Sequence, residues 1–416
     1  MKFIQTFAVL ILIAVSGAFL PVFADPDEEF APDEVVIKLR SPRFLRMIAK
    51  RYRLSPAPIE QFGTRPIYRM RILDGANPET RAAELQNDLL NRVEFAEPNF
   101  LTQAPEARGN SWSIGGTSTQ YANQWFREQL RIPMAHQQTQ GAGVKIAVLD
   151  TGIDLNHPAF AGHLIAGYDF VNDDANPSEE GVFGVNSGFG HGTHVAGLAS
   201  LVAPQAQIMP IRVLDANGVG NIWVLAEALR FAADPDGNPA TPDGADVINL
   251  SLATRRETTL LAEIIAEIAC GEDDDFGEQN QCAVPGQRGI VVAAGAGNRT
   301  SNIPEYPAAE NIGGVIAVAG SNQMNELAAF SNFGSWIDVA APGQQILSTV
   351  PGGGYGTWSG TSMSTPLVAG TAALVRAQNP DWTAVIIEER IVVSSVMLTS
   401  PNPPQRRIDV AASVGQ

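Results

Sequence analysis

Cysteine is almost absent from this chain: Cys270 and Cys282 are the only two in 416 residues. They bracket the acidic stretch 271–281, with no C-x-x-C spacing and no flanking histidine, which argues against a zinc site. In an exported protein so close a pair reads as a local disulfide rather than two free thiols. Closing that loop would contribute roughly 3 kcal/mol in the chain-entropy picture. Lysine is scarce as well. Residues 106–416 hold a single one, Lys145, and carry 14 basic against 31 acidic side chains, a net charge of −17. Such a surface repels nucleic acid and anionic lipid, so neither is expected as a partner. Residues 25–105 are nearly balanced, with 12 basic and 13 acidic groups. Beyond the first residues no charge-free apolar run is long enough to span a bilayer, and no tandem repeat is visible.

The chain is long enough for two or three domains. Lys2, the apolar run Phe7–Leu20 and the small-residue site Val22-Phe23-Ala24 have the order of a secretory signal peptide, residues 1–24. Export, to the medium or the periplasm, is therefore expected. Residues 25–104 open on a strand-like Glu34–Leu39, continue with a helical run near Pro78–Asn91 and end in V-E-F-A-E-P-N-F-L, a small α+β unit. Residues 105–120 are rich in Gly, Ser and Thr and read as a linker. From Val144 apolar strand runs alternate with helical patterns. The strands are expected at Lys145–Leu149, Ile208–Leu214, Val247–Ser251, Ile290–Ala294, Val315–Ala319 and Ile337–Ala340. Helices are expected from His191, near Trp223, near Leu260, at Met363 and near Trp382. This predicts an α/β fold, a doubly wound, mainly parallel sheet flanked by helices. In such sheets functional groups gather at the C-terminal strand ends, where Asp150 sits.

Three separated blocks carry the chemistry: V-L-D-T-G-I-D around Asp150, H-G-T-H-V-A-G from His191, and S-G-T-S-M-S-T-P around Ser362. An acid, an imidazole and a hydroxyl embedded in small residues are the parts of an activated nucleophile. Asp150 leaves a hydrophobic strand, where a buried carboxylate needs hydrogen-bond donors, and His191 can supply one. Ser362 lies at a helix start, where backbone N–H groups and the helix dipole favour a developing oxyanion. Pro366 is expected in the first turn of that helix. In V-V-A-A-G-A-G-N, a strand leads to small residues and a lone amide, Asn298, a fitting side-chain oxyanion donor. The order Asp, His, Ser and the lack of G-x-S-x-G at the serine exclude an α/β-hydrolase esterase. A catalytically silent binding scaffold is disfavoured by the presence of all four groups.

These blocks resemble the subtilisin-like serine proteases from about Gln124 to the C-terminus. The resemblance implies a secreted endopeptidase acting through an acyl-enzyme, with Ser362 as nucleophile, His191 as base, Asp150 as its orienting acid and Asn298 as oxyanion donor. It leaves His194 structural and Asp154 and Ser364 as bystanders. It implies that residues 25–104 are a propeptide that inhibits the domain 121–416 until a cut within 105–120. Polypeptide substrates would pair with the edges Gly218-Val219-Gly220 and Ser251-Leu252-Ala253. Two positions depart from the family: Ala253 stands in place of Gly, narrowing the first pocket, and Arg299 near its rim hints at acidic or polar side chains. No cofactor is required. The stretch Leu198–Pro204 runs straight through where relatives carry a calcium loop, so no metal ligands are assigned. Calcium remains an option at Asp173-Asp174, Asp234–Asp246 or Glu272–Asp275. A monomer is expected.

Overall fold

The computed structural model describes residues 29–108, 113–238, 240–270, 288–399 and 405–415. The expected signal peptide and Cys282 lie outside the described residues. Cys270 ends a helix and is disulfide-bonded. Among the described residues no helix is long and apolar enough to cross a membrane.

The leading unit runs β1 (Phe30–Leu39), α1 (Leu45–Arg51), β2 (Ile67–Arg71), α2 (Pro78–Gln86) and β3 (Val93–Gln103). Both β2 and β3 pair antiparallel with β1. In β1, Val35, Ile37 and Leu39 pack with Ile48 and Leu85 in a small core of the unit's own. Val36, with Ile67 and Phe95, faces the other way and joins a core shared with the larger unit. Both faces of this sheet are therefore covered, which explains why Glu34–Leu39 lacks a clean alternation. The second helix stops at Gln86, short of the expected Asn91, and leaves Leu89 and Leu90 exposed.

The larger unit contains β4 (Lys145–Asp150), α3 (His191–Val202), β5 (Gln207–Arg212), β6 (Val219–Asn221), α4 (Ile222–Ala233), β7 (Val247–Leu250), α5 (Thr259–Cys270), β8 (Val291–Gly295), β9 (Val315–Ser321), β10 (Val339–Pro342), α6 (Thr361–Gln378) and α7 (Ala384–Ser394). Its sheet runs β10-β9-β8-β7-β4-β5, with every one of these pairs parallel. The helices α3, α6 and α7 cover one face, and α4 and α5 cover the other. This is the doubly wound α/β architecture expected from the alternating pattern.

Three details differ from expectation. Strand β5 ends at Arg212, because Val213 and Leu214 turn their N–H groups onto the Asp150 carbonyl. The last expected strand shifts from Ile337–Ala340 to Val339–Pro342. The segment 105–120 is less featureless than its composition. It holds a 3-10 turn at Pro105–Arg108, a short strand at Ser113–Ile114 and a helix at Ser118–Ala122 whose N–H of Gln120 is capped by Thr117. Hydroxyl residues read as linker chemistry here serve partly as helix caps.

Candidate active site

The parallel sheet brings three loop starts to its C-terminal edge. Asp150 is the last residue of β4 and fully buried. Its Oδ1 accepts from the Thr151 N–H at 2.8 Å and from His191 Nδ1 at 2.7 Å. His191 is the first residue of α3, and that helix comes unusually close to the Asp150 turn. A Cβ on Gly192 would lie 2.1 Å from the Gly152 carbonyl oxygen, so only glycine fits there. Below this contact Thr151 Oγ1 accepts from the Gly192 N–H and donates to Glu179 at 2.6 Å, and Glu179 also receives Thr193. Burial raises the Glu179 carboxyl to about 7, against the pull of those donors. Glu179 was not anticipated, since it lies in an irregular loop with no motif around it.

Ser362 is the second residue of α6. Pro366 lies in the second turn, not the first as expected. Its missing N–H leaves the Ser362 carbonyl without an intrahelical donor, and Ser251 Oγ donates there at 3.0 Å. Asn298 follows β8. Its Oδ1 accepts from the Thr361 N–H at 2.9 Å and from Thr361 Oγ1 at 3.0 Å. That pair fixes the amide orientation and turns Nδ2 toward Ser362.

The residue that joins these groups lies in the segment read as a linker. Glu106, in the 3-10 turn after β3, is fully enclosed. Its Oε2 accepts from Ser362 Oγ at 2.5 Å and from His191 Nε2 at 3.0 Å. Its Oε1 accepts from Asn298 Nδ2 at 2.7 Å and from the Ser362 N–H at 3.4 Å. The fit is close: a Cβ on Gly360 would lie 1.7 Å from Oε1. Burial favours the neutral acid, yet contacts with His191, Ser362 and Asn298 hold the Glu106 carboxyl below its usual range. Burial likewise disfavours the charged imidazole of His191, but Asp150 and Glu106 on its two nitrogens push it up to about 10.

The chain reaches this point along the two edges named from the sequence. Thr102 opposes Gly220 and Gln103 opposes Val219 in an antiparallel pairing of β3 with β6. Gln103 exchanges two 2.9 Å hydrogen bonds with Ala253, and the Ala104 N–H donates to the Gly218 carbonyl at 2.9 Å. Residues 101–104 thus lie as a strand between both edges. Leu252 is buried beneath them, and Ser251 accepts from Ser362 Oγ at 3.2 Å through its carbonyl. Register along these edges, counted from E-P-N-F, is the signal that could have pointed to Glu106.

The remaining candidates fall away from the chemistry. His194 is buried with Nε2 on the Ile346 and Gly356 carbonyls, and burial pushes it down to about 3, so it stays neutral. Asp154 accepts from the Asn156 and Gly352 N–H groups. Ser364 donates to the Ala341 carbonyl. Asp234, Asp236 and Asp243 have carboxylate oxygens within 4.8 Å of one another, one of the places considered for calcium. Asp236 already accepts from the Asn238 N–H and Thr241 Oγ1 there, as solvated turns do.

Comparison with known proteins finds relatives along most of the chain. The subtilase family model matches residues 141–408. A thermophilic serine proteinase of Bacillus sp. (strain AK1) is 38% identical over 322 residues, covering 74% of this chain and 69% of the relative. Thermitase of Thermoactinomyces vulgaris is 38% identical over 267 residues, 62% of this chain and 83% of thermitase. Among solved structures, fervidolysin from Fervidobacterium pennivorans shares the fold with a TM-score of 0.71 at 22% identity, over 94% of this chain and 62% of that one. A protease from Pseudoalteromonas arctica gives a TM-score of 0.60 at 30% identity, over 73% of this chain and 99% of that one. The chain belongs to the subtilase family of serine endopeptidases, hydrolases that act on peptide bonds.

Proposed function

We propose that the chain is the self-inhibited precursor of an exported endopeptidase whose reaction is carried by Asp150, His191, Ser362 and Asn298. Ser362 Oγ attacks the peptide carbonyl carbon while its proton passes to His191 Nε2. Asp150 holds the imidazole by Nδ1 and stabilises the cation that forms. The carbonyl oxygen, now negative, receives hydrogen bonds from Asn298 Nδ2 and the Ser362 N–H. His191 then gives its proton to the leaving amine, and water attacks the acyl-enzyme by the reverse path. No step needs a cofactor. Calcium at the Asp234 cluster would be structural, holding a surface turn far from the serine in sequence.

One observation carries this reading: a single carboxylate, that of Glu106, is bound at once by Ser362, His191 and Asn298. Two donors on one oxygen and the nucleophile and base on the other are what an acyl-transfer site offers a carboxylate product. The same contact supports inhibition, since Glu106 belongs to the segment that precedes the larger unit and fills the site with its own chain. Residues 25–104 would then act as the propeptide, tethered through β3, with release after a cut in 105–120. Residues 1–24 would direct export.

The test is expression of the wild type beside Ser362→Ala with N-terminal sequencing of both. Loss of the leading unit from the wild type alone is expected, and equal loss from both would overturn self-processing. A fluorophosphonate probe should label the processed wild type at Ser362.

A further inference from the structure

The cleft beside Asn298 is lined by Pro105, Ala253, Thr254, Arg255, Arg299 and Glu305, with Arg256 and Glu29 at its mouth. Three guanidinium groups in one small cleft need counter-charge. Glu305 supplies one, pairing with Arg299 Nε at 2.9 Å. The others come from the leading unit. Glu29 sits 3.4 Å from Arg255 Nη1 and 2.8 Å from Arg256 Nε, and Glu79 sits 3.3 Å from Arg256 Nη2. Glu29 is held there by the strand itself, since its carbonyl accepts from the Leu101 N–H at 2.9 Å. Arg299 feels the repulsion of Arg255 and the attraction of Glu29, which places all three in one electrostatic neighbourhood. Glu257 also acts on Tyr306 and on Glu310.

Leu101 and Gln103 alternate along β3, and both, with Pro105 at the start of the 3-10 turn that follows, line this cleft. A peptide threaded along the same edges would present the residue at the Pro105 position next to Ser362, with its side chain toward the arginines. We infer that the mature enzyme selects an acidic side chain immediately on the acyl side of the bond it cuts, recognised by Arg255, Arg256 and Arg299, and that Glu29 neutralises this cleft until the leading unit leaves. Losing Glu29 and Glu79 removes the carboxylates that pair with Arg255 and Arg256 and leaves Glu305 on Arg299. A substrate carboxylate then restores the balance that Glu29 provided. The inference rests on the peptidase reading above.

The experiment uses the full chain after whatever processing it carries out, with peptides that differ only in the residue before the cut: Glu, Gln, Leu or Lys. The Glu peptide should be cut with kcat/KM about tenfold above its Gln isostere, with Lys slowest. The Arg255→Ser/Arg256→Ser double variant should bring the Glu:Gln ratio to within about twofold of unity, and added salt should narrow it in the wild type. Equal rates for Glu and Gln, a preference for Leu, or a ratio that survives the double variant would each overturn the proposal. If no peptide is cut and the fluorophosphonate probe leaves Ser362 unlabelled, the peptidase reading falls, and this inference with it.

Discussion

The two units of this protein are built by opposite rules. The larger one encloses a parallel sheet between two helical layers, and its strands are runs of Val, Ile and Ala buried on both sides by its own helices. The leading unit covers only one face of its antiparallel sheet with its own helices. Its other face, with Val36, Ile67, Phe95 and Phe100, packs on α4 and α5. Polar contacts follow the same border. Glu97 caps the first N–H groups of α5 at Thr259 and Leu260, and Asn99 accepts from the Trp223 N–H at the start of α4. Most of β3, from Val93 to Phe100, pairs within its own sheet, and its last three residues, 101–103, pair with β6 of the larger unit. The leading unit thus buries its second sheet face against the larger one, and the turn after β3 brings a carboxylate onto Ser362 and His191.

Breaking the larger unit's chemistry should have the greatest effect. Ser362→Ala should lower peptidase activity by about six orders of magnitude, measured on the purified protein with a chromogenic peptide. Asn298→Ala should lower kcat by about a hundredfold to a thousandfold with little change in KM, because its amide acts mainly on the oxyanion. A large KM effect with kcat intact would instead make Asn298 a binding residue.

The junction comes next. Glu106→Ala should speed fluorophosphonate labelling of Ser362 in freshly refolded, still uncut chain about tenfold or more, since it frees the nucleophile while residues 101–104 keep the peptide edges occupied. The same junction should respond to pH in a definite direction. The His191 imidazole is pushed up to about 10 against burial, by Asp150 first and Glu106 second; only the Glu106 share belongs to closure, and it is present at neutral pH and lost as pH rises through about 10. The Glu106 carboxyl is lowered from 4.5, so its contribution is present above about pH 4.5 and is lost on acidification. Stopped-time assays of uncut chain should show the strongest inhibition between those limits and steady relief toward alkaline pH.

Smallest should be the caps on the leading unit's side. Glu97→Ala or Asn99→Ala should each weaken docking by about 1 kcal/mol, read as earlier thermal release of the leading unit in Ser362→Ala protein.

Much of this was legible because local rules act locally. A hydrophobic strand ending in Asp150, a small-residue helix opening at His191 and a Gly before Ser362 are each visible within ten residues. Asn298 was singled out by the family resemblance as much as by the strand and small residues before it. What escaped was set by distant pairing. Glu106 looks like one more acid in a polar stretch, and only the register of residues 101–104 between two remote edges puts it on Ser362. Glu29 and the arginines it neutralises are separated by more than half the chain. Pro366 was misplaced by one turn because helix α6 begins at Thr361, whose side chain and N–H are held by Asn298 from another strand.

In the uncut chain the Glu106 carboxylate lies on His191, the contact on which closure rests. That contact is tested most directly by following the His191 ring resonances of the Ser362→Ala protein by NMR from about pH 5 to about pH 11. The imidazolium should persist well above pH 8 with a midpoint near 10, and the midpoint should fall clearly when Glu106→Gln is added. A midpoint near 6.5 in both proteins would contradict it.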